Sequence, residues 1–225
     1  MRQCFPGVFE RGGKLYTKNR VPGQQVYGET LVVEDGVEYR SWNPYKSKLA
    51  AAIMNGLQNF PLSHCSTVLY LGAATGTTVS HLSDIATQGL IYAVEIASGA
   101  MRKLLLLCRS RPHLVPILGD AGKPRTYRAQ VGQVDLLYQD IAQRDQVDIF
   151  CKNMALFRPA WGMIMVKARS IDVGRHPHHI FREAERSLGQ LYHVQESVSL
   201  DPYCRDHRAL LIRSPGLGQG KDKAA

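Results

Sequence analysis

The pattern of hydrophobic and polar positions changes near residue 60. Before that point, short runs rich in β-branched and aromatic residues cover 8–10, 14–16, 29–33 and 37–40. The pairs Gly12-Gly13, Pro22-Gly23 and Asp35-Gly36 separate them, and such pairs favour turns. Asp35-Gly36 lies between two apolar-rich runs, which is the strongest hairpin signal in the chain. We therefore predict a small antiparallel β-rich domain over residues 1–60, including a linking helix.

The linking helix is predicted directly after these strands. Asn43 can cap it, and Pro44 suits its first position. The apolar positions that share one face of this helix are Ala50, Ile53, Met54 and Leu57. At about 100° per residue, Lys48 lies about 200° from Ala50 and points away from that face. Helical spacing alone therefore predicts that Lys48 is a solvated lysine.

From residue 67 onward, continuous apolar runs alternate with helical patterns. We predict strands over 68–71, 90–94, 114–118, 134–138 and 162–166, with helices over 78–86, 100–108, 146–157 and 177–188. Such alternation indicates a parallel sheet that is covered on both faces. Two last extended runs, 192–200 and 208–213, are joined by a turn and must pair antiparallel.

This α/β pattern resembles the Rossmann-like sheet of class I methyltransferases, with strand order 3-2-1-4-5-7-6. The resemblance predicts one domain over residues 61–215. Residues 216–225 are rich in glycine and lysine, and we predict a flexible tail there.

Composition and charge narrow the class of protein. The 225 residues are 44% hydrophobic and 21% charged, as in an ordinary globular protein. No apolar run approaches the roughly 18 to 20 residues that span a bilayer, and the N-terminus lacks the apolar core of a signal peptide. Five isolated cysteines form no C-x-x-C pair, so we expect reduced thiols, no zinc site and a cytoplasmic protein.

The net charge of +9 suggests a polyanionic partner, because lysine and arginine neutralise phosphates and release counterions. A generically basic surface would give the same charge. Charge alone therefore names no substrate.

A glycine-rich turn follows the first strand of the larger domain. Glycines at Gly72 and Gly76 let the backbone approach a ligand, and the next helix offers free N–H groups. A dinucleotide site would favour G-x-G-x-x-G, whereas this wider spacing suits a ligand without a pyrophosphate. Glu95 ends the second strand, where it can bind ribose hydroxyls, and Asp120 follows the third, where it can bind an adenine amino group. Together they predict an S-adenosylmethionine site.

Chemistry-bearing residues lie at the same edge of the sheet on the later strands. Asp140 follows the fourth strand, and Lys167 ends the fifth. His207 comes just before the last strand, which runs antiparallel and therefore starts at that edge. In the order 4-5-7 these strands are neighbours, so the topology predicts that the three side chains meet. Taken singly, each could be an ordinary surface or strand-end residue.

Several stretches carry a family resemblance. They are 5–8, 21–29, 39–49 with W-N-P-x-x-S-K-L, the Gly72 turn, 116–121, 138–143, 167–172 with K-x-R-S-I-D, and 206–207. Over roughly residues 5–213 the chain resembles the fibrillarin family, and within it the archaeal fibrillarin-like RNA 2′-O-methyltransferases. The resemblance implies S-adenosylmethionine-dependent methylation of ribose in rRNA and tRNA. It also implies a catalytic Lys-Asp-Lys-His tetrad, at Lys48, Asp140, Lys167 and His207.

The resemblance extends to the cofactor contacts. It implies that the cofactor binds at Gly72, Ala73, Gly76, Thr77, Thr78, Glu95, Ile96, Asp120, Ala121, Asp140, Ile141, Ala142 and Gln143. Two departures stand out. Thr75 replaces a serine or alanine, and Ile96-Ala97-Ser98 replaces a more aromatic segment, which would alter packing against the adenine.

The resemblance also implies partners, and two alternatives compete with it. The implied partners are a box C/D guide RNA with its target rRNA or tRNA, a Nop-domain scaffold and a kink-turn-binding ribosomal-type protein, without a membrane. A nicotinamide-binding Rossmann oxidoreductase would share the sheet, but the glycine spacing argues against it. A non-catalytic RNA-binding subunit would need no tetrad. The histidines at 176–179 have no acidic or cysteine cluster beside them, so no metal site is predicted.

Overall fold

The N-terminal sheet has five antiparallel strands. The computed structural model describes residues 1–216, so the predicted tail lies, apart from Gly216, outside the described residues. The strands are β1 (Arg2–Phe5), β2 (Val8–Arg11), β3 (Lys14–Lys18), β4 (Leu31–Glu34) and β5 (Val37–Trp42), in the order β1-β2-β3-β5-β4. Asp35 and Gly36 have φ values of 51° and 76°, as a two-residue hairpin turn requires. The hairpin prediction is confirmed, whereas β1 was not predicted.

The linking helix, α1 (Lys48–Met54), begins later than predicted. Ser47, not Asn43, is its N-cap, and the Ser47 side chain accepts a hydrogen bond from the Ala50 N–H. The Asn43 side chain instead accepts from the Tyr45 N–H at 2.9 Å, and this closes a turn before the helix. The residues from Leu49 to Ile53 are all buried, so the helix is covered around its whole circumference. The prediction of a solvated Lys48 is wrong, because its side chain is only 20% exposed.

The larger sheet has seven strands with helices between them. The elements in chain order are β6 (Val68–Leu71), α2 (Thr77–Ile85), β7 (Ile91–Glu95), α3 (Ser98–Cys108), β8 (Leu114–Leu118), β9 (Leu136–Gln139), α4 (Gln146–Phe157), β10 (Trp161–Lys167), α5 (Ala168–Ile171), α6 (Pro177–Gly189), β11 (His193–Ser199) and β12 (His207–Arg213). Two short 3-10 helices cover Pro124–Thr126 and Arg128–Gln130.

The strand order is β11-β12-β10-β9-β6-β7-β8. When the seven strands of this sheet are numbered 1 to 7 along the chain and read from β8 to β11, the order is 3-2-1-4-5-7-6, so the prediction is confirmed. β12 pairs antiparallel with both β10 and β11, and the other pairs are parallel. Val68 and Tyr70 belong to the core that includes α1, α2 and α3, and Leu69 and Leu71 to the core that includes α4 and α6. Both faces are therefore buried, as continuous apolar strands indicate. Within residues 1–216, no helix has the length and apolar character needed to cross a bilayer.

A buried network of charges joins the two sheets. The guanidinium of Arg40, on β5, lies 3.2 Å from the carboxylate of Glu29 and 3.3 Å from that of Asp84 on α2. Arg111 pairs with the other oxygen of Asp84 at 2.6 Å. The Thr17 hydroxyl on β3 donates to Asp84 at 2.8 Å. These contacts hold the N-terminal sheet against α2, the helix that follows the glycine turn.

Candidate active site

The structure brings Lys48, Asp140, Lys167 and His207 to one edge of the large sheet. Asp140 directly follows β9, and its N–H donates to the Leu71 carbonyl of β6. Lys167 ends β10 and is paired in register with His207, the first residue of β12. Lys48 reaches the same edge from the first turn of α1. Three of these positions follow from the strand order, and the fourth depends on where α1 packs.

The carboxylate of Asp140 pairs with both lysines. Its Oδ1 lies 2.7 Å from Lys167 Nζ and 3.0 Å from Lys48 Nζ. Lys167 Nζ also donates to the Asp140 carbonyl at 3.1 Å. The side chains of Asp140 and Lys167 are each 13% exposed, so these ion pairs are screened little by water.

Two basic groups of this cluster, Lys167 and His207, have lowered pKa values. Burial lowers the pKa of Lys167, and the charge of Lys48 lowers it further, while Asp140 opposes both effects. Burial is also the main reason why the pKa of His207 is lowered, and both lysines add to it. The His207 Nδ1–H donates to the Arg205 carbonyl at 2.6 Å, which leaves Nε2 as the acceptor of the neutral ring.

The glycine turn lies beside this cluster. Gly72 has a φ of 83°, and a Cβ there would lie 2.7 Å from the Asp140 carbonyl oxygen. Gly76, with a φ of 95°, is the N-cap of α2, and a Cβ would lie 2.5 Å from a Leu107 methyl. Both positions favour glycine because of their positive φ, and at Gly72 the backbone of Asp140 also leaves no space for a Cβ.

Glu95 stabilises the same turn. Its Oε2 accepts from the Ala74 N–H at 2.7 Å, and its Oε1 accepts from the Ala97 N–H at 2.8 Å. The residue is 8% exposed and lines the cleft at the end of β7. A carboxylate oxygen has two lone pairs, so each oxygen can accept a further hydrogen bond from a ligand.

The cleft is a cavity of about 250 Å³. Among the predicted site residues, those that line it are Gly72, Glu95, Ile96, Ala121, Asp140, Ile141, Ala142, Gln143 and Lys167. Larger cavities lie elsewhere, but Glu95 and Asp140 line this one.

Other predicted cofactor residues lie outside the lining. The Thr78 hydroxyl donates to Ser47 Oγ at 3.0 Å in the interior, so it ties α2 to α1. Asp120 Oδ1 accepts from the Gly122 N–H at 2.8 Å, and the 30% exposed side chain stands beside the cleft. Ala73 and Gly76 lie in the glycine turn, and Thr77 is the first residue of α2.

The residues present fit S-adenosylmethionine. Glu95 offers acceptor oxygens for ribose hydroxyls, and Val94, Ile96 and Ile141 offer apolar surface for a base. Because Gly72 has no Cβ, a ligand can approach the backbone closely at this turn. Asp140 supplies negative charge at the end of the cleft where a sulfonium would be favoured.

Sequence reasoning missed a buried glutamine that organises the site. Gln146, the first residue of α4, is fully buried, and its Oε1 accepts from the Lys167 N–H at 2.9 Å. Its Nε2 donates to the Gln143 carbonyl at 2.8 Å. Gln146 thus fixes the loop after Asp140 against the end of β10. Its place at a helix start gave no periodic signal.

Two tyrosines beneath Asp140 were also missed. Tyr70 and Tyr138 are fully buried on neighbouring strands, with ring centroids 4.5 Å apart. Burial raises the pKa of both well above the ordinary value, and the charge of Asp140 adds to it. Both rings therefore stay neutral near the Asp140 carboxylate.

The histidine cluster at the start of α6 has a structural role. His176 is the N-cap of α6, and its ring nitrogen accepts from the His178 N–H. Pro177 occupies the first helical position, as predicted. Among the residues that the structure describes, no group of three potential ligands could hold a metal ion.

Comparisons with known proteins agree with this geometry. The family model named Fibrillarin matches residues 1–215. A fibrillarin-like rRNA/tRNA 2′-O-methyltransferase of Thermococcus gammatolerans is 48% identical, over 94% of this chain and 97% of its own length.

Solved structures match as well. Aeropyrum pernix fibrillarin with natively bound S-adenosyl-L-methionine has 44% identity and a TM-score of 0.82, covering 88% of each chain. A fibrillarin in complex with Nop5p has 41% identity and a TM-score of 0.88, covering 95% of this chain and all of that one.

Proposed function

This chain belongs to the fibrillarin family, and on that premise we propose that it methylates ribose 2′-hydroxyls in rRNA and tRNA with S-adenosylmethionine. The observation that carries the proposal is the carboxylate of Asp140, paired with two lysines at the end of the cleft. A nicotinamide oxidoreductase would need no such pair beside a wide glycine turn. A non-catalytic RNA-binding subunit would need no proton-accepting group beside its cleft.

The cleft residues would hold the cofactor, which supplies a methyl group on a positively charged sulfur. Glu95 would bind the ribose hydroxyls, while Asp120 and Ala121 would lie beside the adenine. Gly72, with no side chain, leaves the backbone open to the ligand. Ile96 is 58% exposed and would cover the base from solvent once the ligand is bound.

The tetrad would orient the acceptor and take its proton. Methyl transfer forms one O–C bond, breaks one S–C bond and releases one proton from the 2′-hydroxyl. Lys167, with its lowered pKa, is the group that we assign as acceptor of that proton. Asp140 holds Lys167 in place and favours the sulfonium, and Lys48 and His207 hold the nucleotide. Orientation matters most, because the methyl donor is already activated.

The relatives suggest the assembly in which the chain works. The solved fibrillarin complex contains Nop5p, and we infer a Nop-domain scaffold for this chain. We further propose a kink-turn-binding ribosomal-type protein and a box C/D guide RNA. The guide would choose the target by base pairing, so this chain needs no sequence-reading element of its own.

The test is reconstitution with the scaffold, the kink-turn protein, a guide RNA and its target, with 2′-O-methylation mapped at nucleotide resolution. We expect methylation at the guided ribose, and a loss of at least about 100-fold in Asp140→Ala, as for removal of a group that orients a catalytic base. Asp148→Ala is the matched control, because Asp148 is 60% exposed on α4 and pairs with the half-exposed Lys152. Both variants should bind the scaffold. Wild-type methylation of a base instead of a ribose would contradict the proposal.

A further inference from the structure

β10 extends further than β9, the strand beside it. β9 pairs with β10 in parallel only as far as Gln139, which lies opposite Ile164. On the other side, β12 pairs with β10 over its whole length, up to Lys167 opposite His207. Within residues 1–216, the last three residues of β10 therefore have no strand partner on the side of β9. The chain that leaves β9 at this point carries Asp140 and the rest of the loop that lines the cleft.

The side chain of Gln146 supplies the hydrogen bonds that a longer β9 would make. Its Oε1 accepts from the Lys167 N–H at 2.9 Å, and its Nε2 donates to the Lys167 carbonyl at 3.3 Å. A neighbouring parallel strand bonds the N–H and the carbonyl of one residue in the same way. Gln146 is fully buried, so water has little access to these bonds. The amide therefore completes the hydrogen bonding at the end of β10.

The same amide holds the loop that lines the cleft. Its Nε2 also donates to the Gln143 carbonyl at 2.8 Å. The two hydrogens of the amide nitrogen thus bond two carbonyls, and its oxygen bonds an N–H, so only one orientation of the amide satisfies all three groups. Gln139 fixes Gln146 in turn, since the buried Gln139 Nε2 donates to the Gln146 carbonyl at 2.6 Å. The loop and the end of β10 are therefore joined through one rigid contact.

Both members of the central ion pair of the tetrad depend on this contact. Lys167 is held through its own backbone, and Asp140 belongs to the loop that is held at Gln143. Lys167 Nζ lies 2.7 Å from Asp140 Oδ1 and donates to the Asp140 carbonyl at 3.1 Å. Residues 140–143 also line the cleft that fits the methyl donor. A shift at Gln146 would therefore change the position of Lys167 relative to both Asp140 and the cofactor.

We propose that Gln146 is a positioning residue for methyl transfer, which couples the cofactor loop to the backbone of Lys167. When S-adenosylmethionine binds to residues 140–143, the loop is fixed, and Gln146 passes this constraint to Lys167. The amine is then aligned with the methyl donor before the ribose arrives. Gln146 is fully buried and lies outside the lining of the cleft, so it acts only through these partners. The inference rests on the proposed function, in which Lys167 accepts the proton.

Two substitutions separate the two ends of the amide. Gln146→Met keeps the length of the side chain but loses all three hydrogen bonds. In the reconstituted assembly its kcat should fall by up to about 100-fold, the effect of a misplacement of about 1 Å, and the half-saturating concentration of S-adenosylmethionine should rise. Gln146→Glu keeps an acceptor for the Lys167 N–H but loses the donor to the Gln143 carbonyl. It should raise the half-saturating concentration of S-adenosylmethionine and lower kcat less than Gln146→Met does.

Asn19→Leu is the matched control. Asn19 is also a buried amide that binds loop backbone at both ends, because its Oδ1 accepts from the Val21 N–H at 3.0 Å and its Nδ2 donates to the Gln24 carbonyl at 3.1 Å. Asn19, Val21 and Gln24 lie outside the lining of the cleft. Asn19→Leu should lose stability in denaturant, as Gln146→Met should, but keep the wild-type kcat and half-saturating cofactor concentration. If Gln146→Met matched Asn19→Leu in both kinetic constants, its amide would only stabilise the fold, and the inference would be overturned.

Amide hydrogen exchange, followed by NMR, tests the coupling in the wild-type chain and decides the matter even if Gln146→Met does not fold. Adding S-adenosylmethionine should slow exchange in the loop 140–143 and also at the Lys167 N–H. Slower exchange in the loop without a change at Lys167 would overturn the inference. This measurement needs no RNA, so it is independent of the methyl acceptor. Failure of the wild-type assembly to methylate ribose would instead contradict the proposed function.

Discussion

The carboxylate of Asp140 pairs with two lysines at once. Burial is the main cause of the lowered pKa of Lys167, and the charges of Asp140 and Lys48 act on it in opposite directions. A single carboxylate near two ammonium groups cannot stabilise both fully, and the charge of Lys48 lowers the pKa of Lys167. Lys167 is the more buried of the two, with 13% of its side chain exposed against 20% for Lys48. Desolvation therefore lowers the pKa of Lys167, the residue that ends β10 and lines the cleft.

The pH profile of methylation should reveal this coupling. A neutral Lys167 accepts the proton, so the rate should rise with pH until the pKa of Lys167 is passed. Lys48→Gln removes a cation that lowers that pKa, and the pKa of Lys167 should rise. The rising limb should then move to higher pH. At a fixed pH on that limb, the rate should fall up to about tenfold for each pH unit by which the limb has moved.

The measurement is the rate of the reconstituted assembly from pH 6 upward in wild type, Lys48→Gln and Lys152→Gln. Lys152 is a half-exposed lysine on α4 and serves as the control. A limb that stays in place in Lys48→Gln, or moves to lower pH, would rule out Lys167 as the acceptor tuned by Lys48.

Gly72 provides a separate test of the cofactor cleft. In Gly72→Ala the new methyl would meet the Asp140 carbonyl at 2.7 Å in addition to the strain of a φ of 83°. Gly23 has a φ of 79° with nothing within 4 Å of a Cβ, so Gly23→Ala isolates the strain. Such strain costs about 1 to 2 kcal/mol.

We expect calorimetric titration with S-adenosylmethionine to show lost or greatly weakened binding in Gly72→Ala, and wild-type affinity in Gly23→Ala. A nicotinamide dinucleotide, titrated in parallel, should not bind to either variant. Equal cofactor affinity in the two variants would mean that the ligand lies elsewhere.

At the scale of the elements, the sequence predicted correctly those features that depend on nearby residues alone. Asp35-Gly36 specifies a tight turn by backbone conformation alone, and the alternation of apolar runs and helices predicted a parallel sheet covered on both faces. The order of its strands was implied by the resemblance to class I methyltransferases. The start of α1 was not decided locally, because Asn43 and Ser47 are both good caps and the former closes a turn instead. Likewise, helical spacing placed Lys48 in solvent, whereas packing of other elements around α1 buries it.

The buried charge network between the two sheets is a feature of the elements that contributes to the stability of the fold. Asp84 on α2 is fully buried between Arg40 and Arg111. Asp84→Asn keeps the side-chain volume but leaves two buried guanidinium groups with less negative charge. Removing one partner of a buried ion pair costs about 3 to 5 kcal/mol, and we expect a loss of that order in the free energy of unfolding.

Denaturant unfolding would measure this loss. Glu183→Gln is the control, because its pair with Arg175 is exposed on both sides and should contribute almost nothing. If Asp84→Asn unfolded at the same denaturant concentration as Glu183→Gln, the network would not be what holds the N-terminal sheet on α2.

At the scale of the whole molecule, the two halves of the crevice fit different ligands. The glycine turn and Glu95 form the half that fits the methyl donor, and the tetrad forms the half that would receive the ribose. The net charge of +9 supplies attraction to phosphates, and this attraction does not depend on sequence.

This division predicts the behaviour of the isolated chain. It should bind bare RNA weakly, and that affinity should fall steeply with salt, by several powers of ten between about 50 and 200 mM if six or more phosphates are contacted. With S-adenosylmethionine it should methylate bare RNA negligibly, since charge alone does not hold one ribose against Lys167. Adding the scaffold, the kink-turn protein and a guide RNA should restore methylation at the guided nucleotide. Methylation of defined sites by the chain alone, mapped at about 50 mM and about 200 mM salt, would show that it selects its own target.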